Sequence, residues 1–211
     1  MRKPIWNYVK LAIDTLPIAE PVYEFGAYQV EEAPENCDLR PLLTGKAYVG
    51  CDMRAGPGVD KVLNLHQIDL PDGSVGTVFL MDTLEHVEYP HQAMAEVHRI
   101  LKPGGIVIMS SVLDFFIHAT PNDFWRFTPD GFRSLLKHFR YSHVGYYGRD
   151  IFPHTLVGIG FKGEVPNLEH YLARYRDWSE KQTRQVEKIS LQDMRSEIAK
   201  ADSATGLNKH Q

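Results

Sequence analysis

The chain has 211 residues, of which 43% are hydrophobic and 24% charged, with a formal net charge of −4. This is enough for one domain with a substantial core, and it excludes a global electrostatic pull toward nucleic acid or an anionic membrane. Two cysteines (Cys37 and Cys51) exclude a disulfide framework, no apolar run is long enough to cross a bilayer, and Lys10 and Asp14 interrupt any signal-peptide core, so a cytoplasmic protein is expected.

Trp6, Val9, Ile13 and Leu16 recur at helical spacing and predict a lead-in helix that Pro17 and Pro21 end. A strand over 22–25 follows and runs into Gly26 through "VYEFGAYQ". The stretch opens like a nucleotide-binding turn but lacks its further glycines, and Tyr28 stands where one is expected. Pro34, Pro41 and Gly45 then leave room only for a short helix at 38–43. Further strands are predicted at 47–51, 60–65 and 77–81, with the "LPDGS" turn before the last of these.

Pro90 opens the clearest helix, with Ala93, Val97, Ile100 and Leu101 on one face, and "KPGG" at 102–105 is expected to stop it. A wholly apolar strand at 106–111 reads as covered on both faces. Thr128-Pro129-Asp130 combines a hydroxyl cap, a first-turn proline and a first-turn acid, which predicts a helix to about residue 139 carrying Arg133, Lys137 and Arg140 on one face. The strands at 143–147 and 155–161 are joined too closely for a helical crossover and are expected to pair antiparallel. From Asn167 the chain turns polar and helical, and its last residues read as disordered.

Alternating strands and helices predict an α/β parallel sheet, in which ligands bind at the carboxyl ends of strands. Those ends carry Glu24 and Gly26, Asp52, Asn64 to Gln67, and Asp82. Each could be an ordinary turn residue, but the same sheet geometry predicts all of the places.

The succession "VYEFGA", "YVGCDM", "VLNLHQIDLPDGSVGTVFLMDTLEHV" and "RILKPGG" resembles the class I S-adenosylmethionine-dependent methyltransferases over residues 20–162. It is most similar to the small type-11-like branch with an "LEHV" turn after the fourth strand. The resemblance implies a Rossmann-like seven-stranded sheet of order 3-2-1-4-5-7-6, with one antiparallel strand and helices on both faces. It also implies S-adenosyl-L-methionine as cofactor. Residues 1–20 would be a lead-in helix, 21–162 the cofactor-binding domain and 163–211 a helical tail.

Carried onto this sequence, Glu24, Gly26 and Ala27 would line the methionine end. Asp52 would accept from the ribose hydroxyls, and Met53 would lie against the adenine. Asn64, Leu65 and His66, with Gln67, would cap the adenine edge, and Asp82 with Thr83 would face the methyl path. Asp82, His86 and His118 are the catalytic candidates. Tyr28, Phe116, Asn122, Trp125 and Arg126 are the acceptor-binding ones, with Arg149, Asp150 and His154 a second group on the rim. His86 with Glu85 is not by itself a metal-site pattern, so no metal is expected.

The acceptor implied is a small molecule or a glycan- or lipid-linked group. General nucleic-acid binding is not expected, and the Tyr- and Trp-bearing tail offers a surface for a homodimer. Two alternatives stay open. One is a non-catalytic binding protein in which Tyr28 blocks the cofactor site. The other is an NAD or nucleotide-sugar enzyme, which the missing glycines disfavour.

Overall fold

The computed structural model describes residues 2–29, 38–118 and 122–186. The chain runs through α1 (Lys3–Thr15), β1 (Val22–Phe25), β2 (Tyr48–Asp52), β3 (Lys61–Val62), β4 (Val75–Leu80), α2 (Pro90–Ile100), β5 (Leu101–Val112), α3 (Pro129–Leu135), β6 (Tyr141–Arg149), β7 (Phe152–Phe161) and α4 (Glu169–Val186). The strands form one sheet in the order β3-β2-β1-β4-β5-β7-β6. β1 to β5 are mutually parallel, while β7 runs antiparallel between β5 and β6. Strand order and the antiparallel closing pair are those expected.

Burial explains why the central strands read as unbroken apolar runs. All four residues of β1 and all six of β4 are buried, because helices cover both faces. On one face α2 and α3 pack through Val97, Ile100 and Phe132. On the other, α1 and α4 pack through Tyr8, Ile5, Tyr171 and Trp178. The lead-in and tail helices are therefore one layer. Tyr8 and Tyr171 share a buried hydroxyl–hydroxyl bond of 2.9 Å, and the Trp178 indole N–H donates to Pro4 O at 3.0 Å. Among the described residues, no helix is long and apolar enough to cross a membrane.

Local departures from expectation have identifiable causes. The predicted helix at 38–43 is a single 3-10 turn, Arg40–Leu42. The third strand is only two residues long, because Asn64 turns the chain: its side-chain oxygen takes the His66 N–H at 2.9 Å, and Asn64 bridges to Gln67. "KPGG" does not separate helix from strand but lies inside β5. α2 ends at Ile100 and its last carbonyls are capped from afar, by Lys162 Nζ on Arg99 O (3.1 Å) and Leu101 O (2.7 Å). Gly104, at φ +80°, lets the chain continue into the strand with a register irregularity opposite Val75 and Thr77.

Thr128 caps α3 as expected, accepting the Gly131 N–H at 3.1 Å. The helix nevertheless ends at Leu135, so Lys137 and Arg140 do not share its face with Arg133. Leu136 and Phe139 instead turn down onto β7, where a Cβ on Gly160 would lie 2.8 Å from the Phe139 ring. The expected disorder at the C-terminal end falls outside the described residues, as do residues 30–37.

Candidate active site

A cavity of about 550 Å³ opens at the carboxyl ends of β1, β2 and β4. Its walls include Glu24, Gly26 and Tyr28 at the end of β1, Asp52 and Met53 at the end of β2, Asn64 to His66, and Asp82, Thr83 and Glu85 to Glu88 after β4. Phe115, Phe116, His118 and Asn122 close the far side. The consecutive strand ends therefore converge on one space, as the parallel sheet requires.

Gly26 sits at φ +87°, and a Cβ there would lie 2.4 Å from Thr83 Oγ1. The close approach it permits is first of all that of the β4 end, whose Thr83 hydroxyl donates to Phe25 O at 3.0 Å. The N–H groups of Gly26 and Ala27 both donate to Cys51 O at 2.9 Å. Neither is left for a phosphate, so this turn is not an anion cradle. Ala27 is buried and lies behind the cavity wall, not on it. Glu24 is 3% exposed and its carboxylate takes the Tyr48 hydroxyl. Burial pushes its carboxyl up to about 8, against the lowering effect of that hydroxyl.

Tyr28 does not plug the space between Gly26 and Asp52. Its ring lies under the Arg54 guanidinium at 4.5 Å and against Gly56, where a Cβ would be 2.3 Å from the ring. Asp52 accepts from Arg54 N (3.0 Å) and Arg54 Nε (3.4 Å), both on Oδ1. Met53 is exposed at the rim. His66 is held by the Tyr89 N–H on its Nε2 at 3.1 Å, and Gln67 is not on the wall.

Asp82 is the one non-glycine residue at positive φ (+48°) among those described, a conformation for which aspartate is among the more tolerant side chains. Ser110 Oγ donates to its Oδ1 at 2.7 Å, and Arg2 binds both carboxylate oxygens, at 3.0 and 3.2 Å. Burial would raise this carboxyl, but Arg2 holds it below the ordinary range. Asp82 is thus an ion-paired anion that anchors the site, a poor proton acceptor. Arg2 also reaches Thr155 Oγ1 (2.6 Å) and lies over the Phe115 ring at 5.1 Å. His154, from the weaker rim group, meets Arg2 Nη1 at 3.3 Å, and burial followed by Arg2 lowers its imidazole to about 4.

Beyond Asp82 lies a second polar group. Glu85 is fully buried, with Ser111 Oγ donating to its Oε2 at 2.6 Å, while Oε1 has no hydrogen-bond partner. Burial and then the Asp82 charge push the Glu85 carboxyl up to about 8. The His86 and His118 rings meet edge-on at 4.9 Å, and both lie beside Glu85. Burial, then His86, lowers the His118 imidazole.

The loop after β5 delivers His118. Its backbone N–H is held by Asp123 Oδ2 at 2.7 Å. Arg126 braces that loop, binding both Asp123 oxygens (2.5 and 2.7 Å) and the carbonyls of Phe115 (3.2 Å) and Phe116 (2.7 Å). Arg126 is therefore not a cation offered to the cavity, and Trp125 faces a neighbouring groove with Tyr89, its indole N–H on Val87 O at 3.0 Å.

Of the candidates from sequence, Glu24, Gly26, Tyr28, Asp52, Met53, Asn64, Leu65, His66, Asp82, His86, Phe116, His118 and Asn122 share the cavity wall, whereas Ala27, Trp125 and Arg126 do not. Arg149 and Asp150 also stay off it, Arg149 reaching Asp114 at 3.8 Å. Sequence reasoning missed Arg2 and gave Glu85 no role. The "LEHV" turn could have pointed to Glu85, but nothing local marks Arg2.

Residues 42–109 match the family described as a methyltransferase domain. A 37.1 kDa protein of transposon TN4556 from Streptomyces fradiae is 41% identical over 54 residues, which span 25% of this chain and only 16% of that protein. An S-adenosylmethionine-dependent methyltransferase from Archaeoglobus fulgidus aligns with TM-score 0.57 at 12% identity, covering 77% of this chain and 95% of that one. The Haloferax volcanii methyltransferase solved with its Trm112 activator aligns at 0.55 and 17%, covering 75% and 90%. The 1,6-didemethyltoxoflavin-N1-methyltransferase of Burkholderia thailandensis, solved with its substrate and S-adenosylhomocysteine, aligns at 0.51 and 16%, covering 68% and 71%. At these identities the likeness to solved structures is one of fold.

Proposed function

We propose that the chain is a class I S-adenosylmethionine-dependent methyltransferase, a reading supported by the methyltransferase-domain match and the strand order, and that it methylates an acceptor bearing a transferable proton, held between the aromatic loop after β5 and the Glu85–His86–His118 group. One observation carries this reading. A single cavity joins the Gly26–Asp52 end, which lacks a phosphate cradle, to a buried polar group beyond Asp82.

The residues present fit the cofactor. About 550 Å³ lies within the usual range for a small-molecule site. Asp52 Oδ2 is an acceptor suited to ribose hydroxyls, Met53 supplies an apolar surface for the adenine, and the wall from Glu24 to Gly26 would follow the methionine portion. S-adenosylmethionine supplies an already activated methyl group on a sulfonium.

The protein's own contribution is then alignment, which can lower a barrier by about 7–11 kcal/mol. The Arg2–Asp82 pair and Thr83 fix the β4 end, the stacked Phe115 and Phe116 rings (4.3 Å) form an apolar wall for the acceptor, and the Glu85 group meets its polar atom. A small molecule or a glycan- or lipid-linked group would fit such a wall.

The test is thermal stability with S-adenosylhomocysteine, NAD and a nucleotide sugar. Ligand at 100 times its dissociation constant adds about 2.7 kcal/mol. A gain with S-adenosylhomocysteine alone is expected, and no gain with it would defeat the reading.

A further inference from the structure

We infer that the groove beside the cavity, lined by Tyr89 and Trp125, is a second binding site and takes a neutral sugar ring. The groove encloses about 400 Å³, enough for a small ligand. It is continuous with the cavity. Glu88 lines both, and successive residues of one loop divide them, with Phe124 on the cavity side and Trp125 on the groove side. His66, on the cavity wall, meets the Tyr89 ring edge-on at 5.5 Å. A molecule whose reacting atom lies in the cavity can therefore extend past Glu88 into the groove.

The groove is built in advance of any ligand. Trp125 is 44% exposed and Tyr89 57%, yet Trp125 is held at three points. Its backbone N–H donates to Glu85 O at 3.2 Å, its carbonyl accepts from Arg126 Nη1 at 2.8 Å, and its indole N–H donates to Val87 O at 3.0 Å. A large ring fixed in place while nearly half of it faces water is a pre-organised contact surface, because its ordering precedes binding. Single exposed apolar residues need no explanation, but two aromatic rings lining one groove mark a binding surface.

The lining selects the ligand. A sugar ring has an apolar C–H face that lies against an aromatic face, and a rim of hydroxyls. Those hydroxyls find an acceptor-only carboxylate in Glu88, a hydroxyl in Ser134 and a ring nitrogen in His91. No lysine or arginine is among the described residues that line the groove, so a phosphate or carboxylate meets no cation and faces Glu88. An alkyl chain would desolvate Glu88, His91 and Ser134 and offer them nothing. A quaternary ammonium would use the rings and Glu88 but not the Ser134 hydroxyl. That the bound sugar is part of the methyl acceptor rests on the methyltransferase reading; the binding itself does not.

The experiment uses the full chain labelled with ¹⁵N. Its three tryptophans give three indole N–H signals, and the probes are maltotriose, cellotriose, chitotriose, 1-hexanol and tetramethylammonium. At least one trisaccharide should shift the Trp125 signal with a Kd below about 10 mM, leaving Trp6 and Trp178 unmoved. Tyr89→Ala, at an exposed side chain, should weaken that binding about fivefold, with S-adenosylhomocysteine affinity unchanged. In the unaltered protein, nuclear Overhauser effects should link sugar C–H protons to the Tyr89 and Trp125 rings, a readout that needs no variant.

No trisaccharide binding below about 10 mM, absence of those Overhauser effects, or indifference to Tyr89→Ala would overturn the inference. So would a Trp125 shift produced by hexanol or tetramethylammonium and by no sugar. S-adenosylhomocysteine binding without sugar binding would sink this inference and spare the methyltransferase reading. Sugar binding without S-adenosylhomocysteine binding would do the reverse.

Discussion

Arg2 and Asp82, 80 residues apart, form a two-pronged ion pair: Arg2 Nη2 meets Asp82 Oδ1 at 3.0 Å and Arg2 Nε meets Oδ2 at 3.2 Å. The pair joins the start of α1 to the end of β4, so the lead-in helix helps to shape the site. Removing one partner leaves a buried charge uncompensated, which is far more damaging than losing a surface pair. Arg2→Ala should lower unfolding stability in urea by about 3 kcal/mol. Adding Asp82→Asn should recover part of that loss. A single-variant loss under about 1 kcal/mol would mean that the pair behaves as a solvated one.

Gly26 is constrained twice, by φ +87° and by Thr83 Oγ1 lying 2.4 Å from where a Cβ would stand. Gly26→Ala should therefore cost roughly 3 kcal/mol, combining left-handed strain with overpacking. Combined with Thr83→Ala, the overpacking part should disappear, giving a coupling of at least about 1 kcal/mol in a double-mutant cycle. Additive losses would show that Thr83 is not the obstacle.

The Glu24 carboxyl is raised to about 8 from an ordinary 4.5, chiefly by burial. The folded protein then holds a proton that the unfolded chain releases between those values. Stability from this group is complete below about pH 4.5 and is lost as pH rises toward about 8. Glu24→Gln should flatten the fall in urea stability between about pH 5 and pH 8. It should not abolish the fall, because Glu85 is raised in the same direction. An unchanged slope would mean that Glu24 is ionised in the fold.

Asp52→Ala should weaken S-adenosylhomocysteine binding in calorimetry by roughly tenfold or more, as expected for hydrogen bonds to a charged acceptor worth about 1.5–3 kcal/mol. Circular dichroism should be unchanged, since both bonds to Asp52 come from its neighbour Arg54. Unaltered affinity would remove Asp52 from the ribose role.

The strands and most of the cavity wall were legible in the sequence because their causes are local or periodic, whereas the strand order was implied only by the family resemblance. Unbroken apolar runs mark strands covered on both faces, as β1 and β4 are. A hydroxyl, a proline and an acid at 128–130 cap a helix wherever the rest of the chain goes. A link of a few residues between β6 and β7 permits only an antiparallel return. Local chemistry placed the end of α2 just before "KPGG" but did not reveal that these residues lie inside β5 or that Lys162, more than sixty positions away, meets the carbonyls at the helix end.

By itself the sequence determined which strand ends would face a ligand, since alternating apolar and helical periods leave a parallel sheet few alternatives and place Gly26, Asp52 and Asp82 at its carboxyl edge. Tertiary structure alone decided what those residues meet: Arg2 on Asp82, Thr83 under Gly26, and His118 beside Glu85 and His86. The physical reason is range. Backbone pattern is set by neighbours a few residues apart, whereas the charge state and free lone pairs of a buried side chain depend on groups that only folding brings within a few ångströms.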